Sequence, residues 1–417
     1  MRKVKTTFKY FSLLLAGFLL SGCWDKSEVE EKAYVIGLGL DKNDQNNKLN
    51  ITFLVANAEV GSQQTGSSTR EPAKEILTIE ANDFISARNT ANAIIAREVT
   101  YELLRVFVVS EEMAQDEDFI RFIYDATKDR EIRRDSYLIV SRERASEFFL
   151  RNKPKLETRP HKYFQFMIGR GIETGLIPHS DLHRFFRVTE HIDDLFLAMY
   201  ATTKELKETK ERNEDEYIAG EIGTKGKANP TQFIGSAVFN RGKMIGKING
   251  EETRISMLLD PTSDLVDVFT TYPDPFNKRF RIGVRLFRNG KNKVEVDIRN
   301  GATKVTCQLP LMVEVLSDPA MTNYGVNEDK KEILKRNIEK DIEDKIKNFA
   351  VKTQREFKGN PFYWSWYVRK KFSSIPKYEQ YNWQKQYTSA SIFVDVNLTF
   401  TDFGKQEKVP SYNKLRD

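Results

Sequence analysis

The spacing of apolar residues changes character once along this chain, across the charge run "KELKETKERNEDEY" at 204–217, and that change constrains the fold more than any motif does. Before it, short apolar runs and amphipathic segments alternate. "AYVIGLGL" (33–40) and "KLNITFLVANAEV" (48–60) read as two strands joined by the polar turn "DKNDQNNK", a hairpin. "EILTIEAND" adds a strand, and Asn82 or Asp83 is placed to cap a helix "FISARNTANAIIARE" with Ile85, Ala91, Ile94 and Ile95 on its inner face. "LLRVFVVSEEMA" is a buried strand, "DFIRFIYDATKD" a helix, "SYLIVSRE" a strand and "ASEFFLRN" a short helix. This alternation from about 75 to 150 predicts layered α/β structure with crossovers. Residues 161–200 read as wholly helical, and 61–75, "GSQQTGSSTREPAKE", as a loop without apolar periodicity.

After the charge run the period becomes two. Runs such as "RFRIGVRLF" and "NKVEVDI" alternate apolar and polar residues, and Asn249-Gly250, Asn289-Gly290 and Asn300-Gly301 each carry the dipeptide that suits a two-residue hairpin. These predict an antiparallel sheet. One long helix follows, "NEDKKEILKRNIEKDIEDKIKNFAVKTQREF", with Leu334, Ile338, Ile342, Ile346 and Phe349 on one stripe facing that sheet. The aromatic stretch "NPFYWSWYVRKKF" and a last strand "ASIFVDVNLTF" close the chain. The expected fold is α+β (mixed α/β) and multidomain. Mixed sheets with flanking helices fill the N-terminal half, and an antiparallel sheet packed with the long helix fills the C-terminal half. The expected divisions are 1–22, 23–203, a charged linker 204–230 and 231–403, with a further split near 300 left open.

The first of these segments is an export signal. "MRKVKTTFK" is basic and "YFSLLLAGFLL" is an apolar run of 11 residues, too short for the roughly 20 that span a bilayer. Leu20-Ser21-Gly22-Cys23 then resembles a bacterial lipobox, which implies cleavage between Gly22 and Cys23 and a diacylglyceryl group on the Cys23 sulfur. Two acyl chains hold a protein on a membrane where one does so only marginally. Without the four basic residues of the signal, the net charge falls from +6 to +2. A chain so nearly balanced carries no electrostatic footprint for nucleic acid.

No stretch assembles catalytic chemistry. Cys307 has no second cysteine to pair with once Cys23 is acylated, and its strand spacing reads as a packed apolar residue. His179 and His183 stand at i, i+4, a metal spacing on a helix, but Pro178 and the capping residues Ser180 or Asp181 start the helix after His179. His191 lies close to both in sequence, and a surface hydrolase, a further competing expectation, would depend on one of His161, His179, His183, His191 or Cys307. "IGRGIETG" and the "GLG" at 37–39 lack the context of a nucleotide loop. Arg130, Arg133, Arg134 and Asp135 read as a solvated face with local ion pairs. Trp364, Trp366 and Trp383, with Phe362, Tyr363 and Tyr367, suit packing of the last helix, a ligand groove or a partner interface. No cofactor, metal or catalytic residue is expected.

Four stretches in order resemble one family, the C subunits of spore nutrient-germinant receptors (the Ger(x)C lipoproteins). They are "GCWDKSEVEEKAYVIGLGLDK", "LLRVFVVSEEMAQDEDFIRFIYDATKDREIRRDSYLIVS", "GSAVFNRGKMIGKINGEETR" and the long helix ahead of a tryptophan-rich end. The resemblance covers 20–403. It implies a three-domain mixed α/β lipoprotein on the outer face of the spore inner membrane. It also implies assembly with two polytopic subunits, of A and B type, to sense small nutrients and trigger germination, without enzymatic activity. Trp24 and Asp25 beside the anchor, with Trp364 and Trp366, are the candidate partner or membrane contacts. The competing expectation, a lipid-anchored solute-binding protein of a transporter, requires two similar α/β lobes.

Overall fold

The computed structural model describes residues 31–43, 45, 48–57, 74–191, 193–206, 212–213, 215–299, 301–405, 408 and 410. The expected loop at 61–75 therefore lies outside the described residues except for its last two, Lys74 and Glu75, which open a strand.

The N-terminal half builds one nine-stranded sheet. Its elements are β1 (Lys32–Lys42), β2 (Leu49–Ala56), β3 (Lys74–Ala81), α1 (Phe84–Ala91), β4 (Glu98–Thr100), β5 (Val106–Ser110), α2 (Glu111–Ala114), α3 (Phe119–Ala126), β6 (Tyr137–Ser141), α4 (Ala145–Arg151), α5 (Pro160–Glu173), α6 (Leu182–His191), β7 (Phe196–Thr202), β8 (Gln232–Asn240) and β9 (Lys243–Ile248). The order is β3-β2-β1-β5-β6-β7-β8-β9, with β4 beside β1. Four parallel strands, β1, β5, β6 and β7, form the centre, and antiparallel strands flank them on both sides.

Both faces of the centre are covered. Val106 and Val108 of β5 face one core with Phe148 and Phe149 of α4 and Phe164 of α5, whereas Phe107 and Val109 face the other with Phe84, Phe119 and Phe185. Such strands are apolar throughout, which explains the main departure from expectation. "FLAMYAT" is not helix but β7, buried at every position. A short continuous apolar run has no period of its own, so a buried parallel strand and a buried helix look alike in sequence.

The helix at 84–98 is shorter than expected and turned. Asp83 caps it, accepting from Ser86 N at 2.7 Å. Its buried residues are Phe84, Ala87 and Ala91, while Ile85 and Ile94 point to solvent. The "GLG" of β1 serves packing. A Cβ on Gly37 would stand 2.9 Å from the Phe149 ring, and one on Gly39 would stand 3.0 Å from Ala145 Cβ. Bare backbone there lets α4 lie against the sheet, and the Asp41 carboxylate accepts the Ala145 and Ser146 amides at its N-terminus.

The expected linker does not separate two sheets. β7 pairs antiparallel with β8 from the far side of it, so the first sheet continues to Ile248. Asp215 of the charge run is buried, and its carboxylate receives Arg254 Nη1 at 3.0 Å and Thr270 Oγ1 at 2.8 Å.

The second sheet comprises β10 (Asp267–Pro273), β11 (Arg281–Arg288), β12 (Lys293–Arg299), β13 (Ala302–Ser317) and β14 (Ser391–Asp402). Between the sheets lies α7 (Gly250–Leu259), and between β13 and β14 lie α8 (Glu328–Lys352), α9 (Ser365–Arg369), α10 (Ile375–Tyr381) and α11 (Trp383–Tyr387). β13 pairs with β12 over its first half and with β11 over its second, on one edge. β14 runs parallel to it on the other edge. The sheet is therefore antiparallel except for its last strand.

Of the three Asn-Gly pairs only one closes a hairpin. Arg299 pairs with Ala302 around Gly301, whose φ is +78°. Asn289-Gly290 sits in a bulge between β11 and β12, where Asn289 N donates to Pro310 O. Asn249 is a helix cap, accepting from Glu252 N at 2.9 Å while the Glu252 side chain returns to Asn249 N. Asn before Gly also suits a capping box, and Glu three residues on decides for the helix.

The long helix α8 is placed as its stripe predicts. Leu334, Ile338, Ile342, Ile346 and Phe349 are all buried against the second sheet. Its Glu343 and Glu339 accept the Val396 and Leu398 amides at 3.1 and 2.9 Å, covering the outer edge of β14. Ile338→Ala is expected to cost about 2–5 kcal/mol in urea unfolding, and Ile333→Ala, on the exposed side of the same helix, under about 1 kcal/mol. Equal losses would place the stripe wrongly.

Candidate functional site

Of the sequence elements singled out for function, the aromatic stretch 359–369 inserts between the two sheets, with His179 and His191 nearby. The insertion is anchored on Asp194, two residues ahead of β7. Asn360 Nδ2 donates to Asp194 Oδ1 at 2.8 Å, the Ser365 hydroxyl donates to Asp194 Oδ2, and Leu195 N donates to Asn360 O at 2.8 Å. Gly359 is required by closeness, since a Cβ there would stand 2.7 Å from Leu195. Trp364 is fully buried, donates its indole N–H to Leu259 O at 3.3 Å and lies 4.8 Å from the Phe362 ring. Phe362 in turn meets Phe349 of α8. The insertion thus meets α7 through Trp364, α8 through Phe362 and the residues ahead of β7 through Asn360 and Ser365.

Tyr363 turns the other way, at φ +55°, and lies under the Arg184 guanidinium at 4.0 Å. Arg184 also pairs with Asp260, just beyond α7. Nearby, His179 bridges Asp264 (2.8 Å) and Asp181 (3.0 Å), and its hydrogen bond to Asp181, with that to Asp264, raises its pKa against burial. Asp181 caps α6 by accepting Arg184 N, so His179 precedes the helix and shares no face with the exposed His183. Among the described residues no three His, Cys, Asp or Glu side chains are grouped to hold a metal. His161 is partly buried on α5, and burial lowers its pKa. His191 Nδ1 contacts Arg187 O. Cys307 is fully buried in β13, where burial pushes its thiol up to about 12. Arg133 pairs with Asp135, and Arg134 lies over the Phe186 ring.

Beside the insertion opens a cleft of about 210 Å³, lined by Arg187, Val188, His191, Asp193, Asp194, Thr262, Tyr363, Ser365, Trp366 and Arg369. Trp366, 64% exposed, stands at its rim, so Trp364 and Trp366 have opposite roles. Gly22, Cys23, Trp24 and Asp25 lie outside the described residues. The sequence reading missed Asp194, Arg184 and Asn360. Their one signal is the pair Asp193-Asp194 directly ahead of an apolar run, which a helical reading of 161–200 hides.

Matches to known proteins cover both halves. The family model described as "Spore germination protein N-terminal domain" matches residues 25–202, and that described as "Spore germination B3/GerAC like, C-terminal" matches 234–404. The chain belongs to the GerAC family of spore germination proteins. Spore germination protein B3 of Bacillus subtilis (strain 168) is 21% identical over 96% of this chain and 99% of its own length. Spore germination protein A3 of the same organism is 29% identical over 34% of this chain and 37% of its own. The crystal structure of the GerBC protein shares the fold, with a TM-score of 0.52 at 17% identity, covering 89% of this chain and 99% of that one. The mixed α+β, multidomain architecture expected from the sequence is the one found.

Burial pushes the Asp194 carboxyl up to about 7, against the hydrogen bonds of Ser365 and Asn360. The native state therefore keeps a proton that the unfolded chain has released between about pH 4 and 7, and stability falls as pH rises through that window. Asp194→Asn keeps an acceptor for Asn360 and cannot ionise. Its stability relative to wild type, from urea unfolding, is expected to be greater at pH 8 than at pH 5 by the order of a few kcal/mol. A difference independent of pH would remove Asp194 from the protonated state assigned to it.

Proposed function

We propose that the chain is the lipid-anchored subunit of a spore nutrient germinant receptor. The observation that carries this reading is that matches to spore germination proteins span both sheets, from 25 to 404. In this reading Cys23 bears the diacylglyceryl group and holds the protein on the outer face of the spore inner membrane, with Trp24 and Asp25 nearest the bilayer. No helix among the described residues is long and apolar enough to cross a membrane, which is compatible with attachment through lipid. Two polytopic subunits, of A and B type, complete the receptor, and the complex senses small nutrients.

The role is binding and scaffolding rather than catalysis. Docking shifts a receptor equilibrium only as far as the subunit's affinity differs between the two receptor states. A solute-binding protein of a transporter is a poorer fit, because the two sheets differ in order and strand direction and do not form two similar lobes.

Affinity capture of the tagged chain from detergent-solubilised spore membranes is expected to enrich two polytopic subunits identified by mass spectrometry. Recovery of the chain with an ATP-driven permease would overturn the assignment. Cys23→Ser is expected to move the protein from the membrane pellet to the soluble fraction, and full retention in the pellet would refute the lipid anchor.

A further inference from the structure

The cleft beside the insertion carries charge that the fold does not use. Most interior arginines here are engaged: Arg184 by Asp260 and Tyr363, Arg254 by Asp215, and Arg288 by the Leu258 and Asp260 carbonyls. Arg187 in the second half of α6 and Arg369 at the end of α9 both line the cleft, both are exposed, and neither forms an ion pair with another described residue. Burial raises the Asp193 carboxyl's pKa, and Arg369 opposes that rise from a distance without bonding to it. The apolar wall is Val188, Tyr363 and Trp366. The Trp366 indole is largely in solvent, with Lys370 Nζ 5.7 Å from its ring, whereas Trp364 and Trp383 are buried.

We propose that this cleft binds a small organic carboxylate with a flat apolar body. A guanidinium meets a carboxylate through paired N–H donors, and two of them at one rim favour an anion over a neutral group. An exposed indole offers a face for a ring to stack on. A cleft of about 210 Å³ has room for one ring and its acid group. The two acids in the cleft oppose an anion less than free carboxylates do. The Asp194 oxygens already accept from Asn360 and Ser365, and burial raises the proton affinity of both Asp193 and Asp194.

This assignment rests on the receptor-subunit reading only for its physiological meaning. Binding is measured on the isolated full-length chain and partner capture on spore membranes, so either can fail alone. The purified chain in detergent is titrated with benzoate, with its neutral isostere benzamide and with inorganic phosphate. Calorimetry and tryptophan fluorescence report the binding. Benzoate is expected to saturate with a change in fluorescence, and benzamide and phosphate to bind at least about tenfold more weakly. Arg187→Gln with Arg369→Gln is expected to weaken benzoate by more than about tenfold with unchanged thermal unfolding, since both side chains are exposed. Trp366→Phe is expected to keep calorimetric binding and lose most of the fluorescence change. Equal binding of benzoate and benzamide, an unaffected double variant, or no saturation by about 10 mM benzoate would each overturn the proposal. Phosphate binding as tightly as benzoate would make the cleft a simple anion site and overturn the apolar half of it.

Discussion

The Asp194 carboxylate is the point on which the two halves depend. It lies in the connection from α6, two residues ahead of the central strand β7, and accepts both the Asn360 amide and the Ser365 hydroxyl from a segment more than 160 residues away. Those bonds fix the loop that carries Trp364 into the core and leaves Trp366 outside. A largely desolvated carboxyl at the edge of the cleft is costly to ionise, and here its hydrogen bonds only partly offset that cost. The same group therefore holds the insertion in place and makes it sensitive to protonation. Around it, Arg184 and His179 tie α6 and the loop before it to the loop after α7 by opposite charge.

The two sheets share one apolar core. Val106 and Ile139 of the first sheet, the α7 residues Leu258 and Leu259, and Val305 and Leu309 of the second belong to a single buried cluster. One charged group buried beside it is fully engaged. Arg254 meets Asp215, the Thr174 carbonyl and the Phe269 carbonyl, so a residue from each of several elements must be in position for one guanidinium to be satisfied. Losing one partner would leave a buried charge exposed to its full desolvation penalty.

Where a segment has one wet face, its period shows in the sequence. The stripe on α8, the alternating runs of β11 and β12, and the Asp181 cap that excludes His179 from α6 were all legible for that reason. Where burial is complete, the period vanishes, and β7 looks like helix in the sequence. Dipeptides were ambiguous in another way. Asn-Gly permits a hairpin, a bulge or a helix cap, and only the partner strand or the glutamate three residues later distinguishes them. Of the site, the aromatic stretch was visible as a group. The opposite fates of Trp364 and Trp366 depend on contacts with Leu259 and Asp194, far off in sequence, and no local pattern encodes them.

The continuation of the first sheet through β8 and β9 bears on how such chains diversify. The family boundary near 202–234 lies between two hydrogen-bonded neighbours, not between two independent bodies. A recombinant that joined one relative's first half to another's second half at that boundary would have to match the register of β7 to a foreign β8 and supply a compatible acid at 215 and at 194. A crossover after Ile248 would respect the sheet but still divide Arg254 from Asp215. Inheritance of both sheets as a unit is the route that keeps every one of these pairings intact, so substitution at exposed rims changes the chain with less disturbance than exchange of modules.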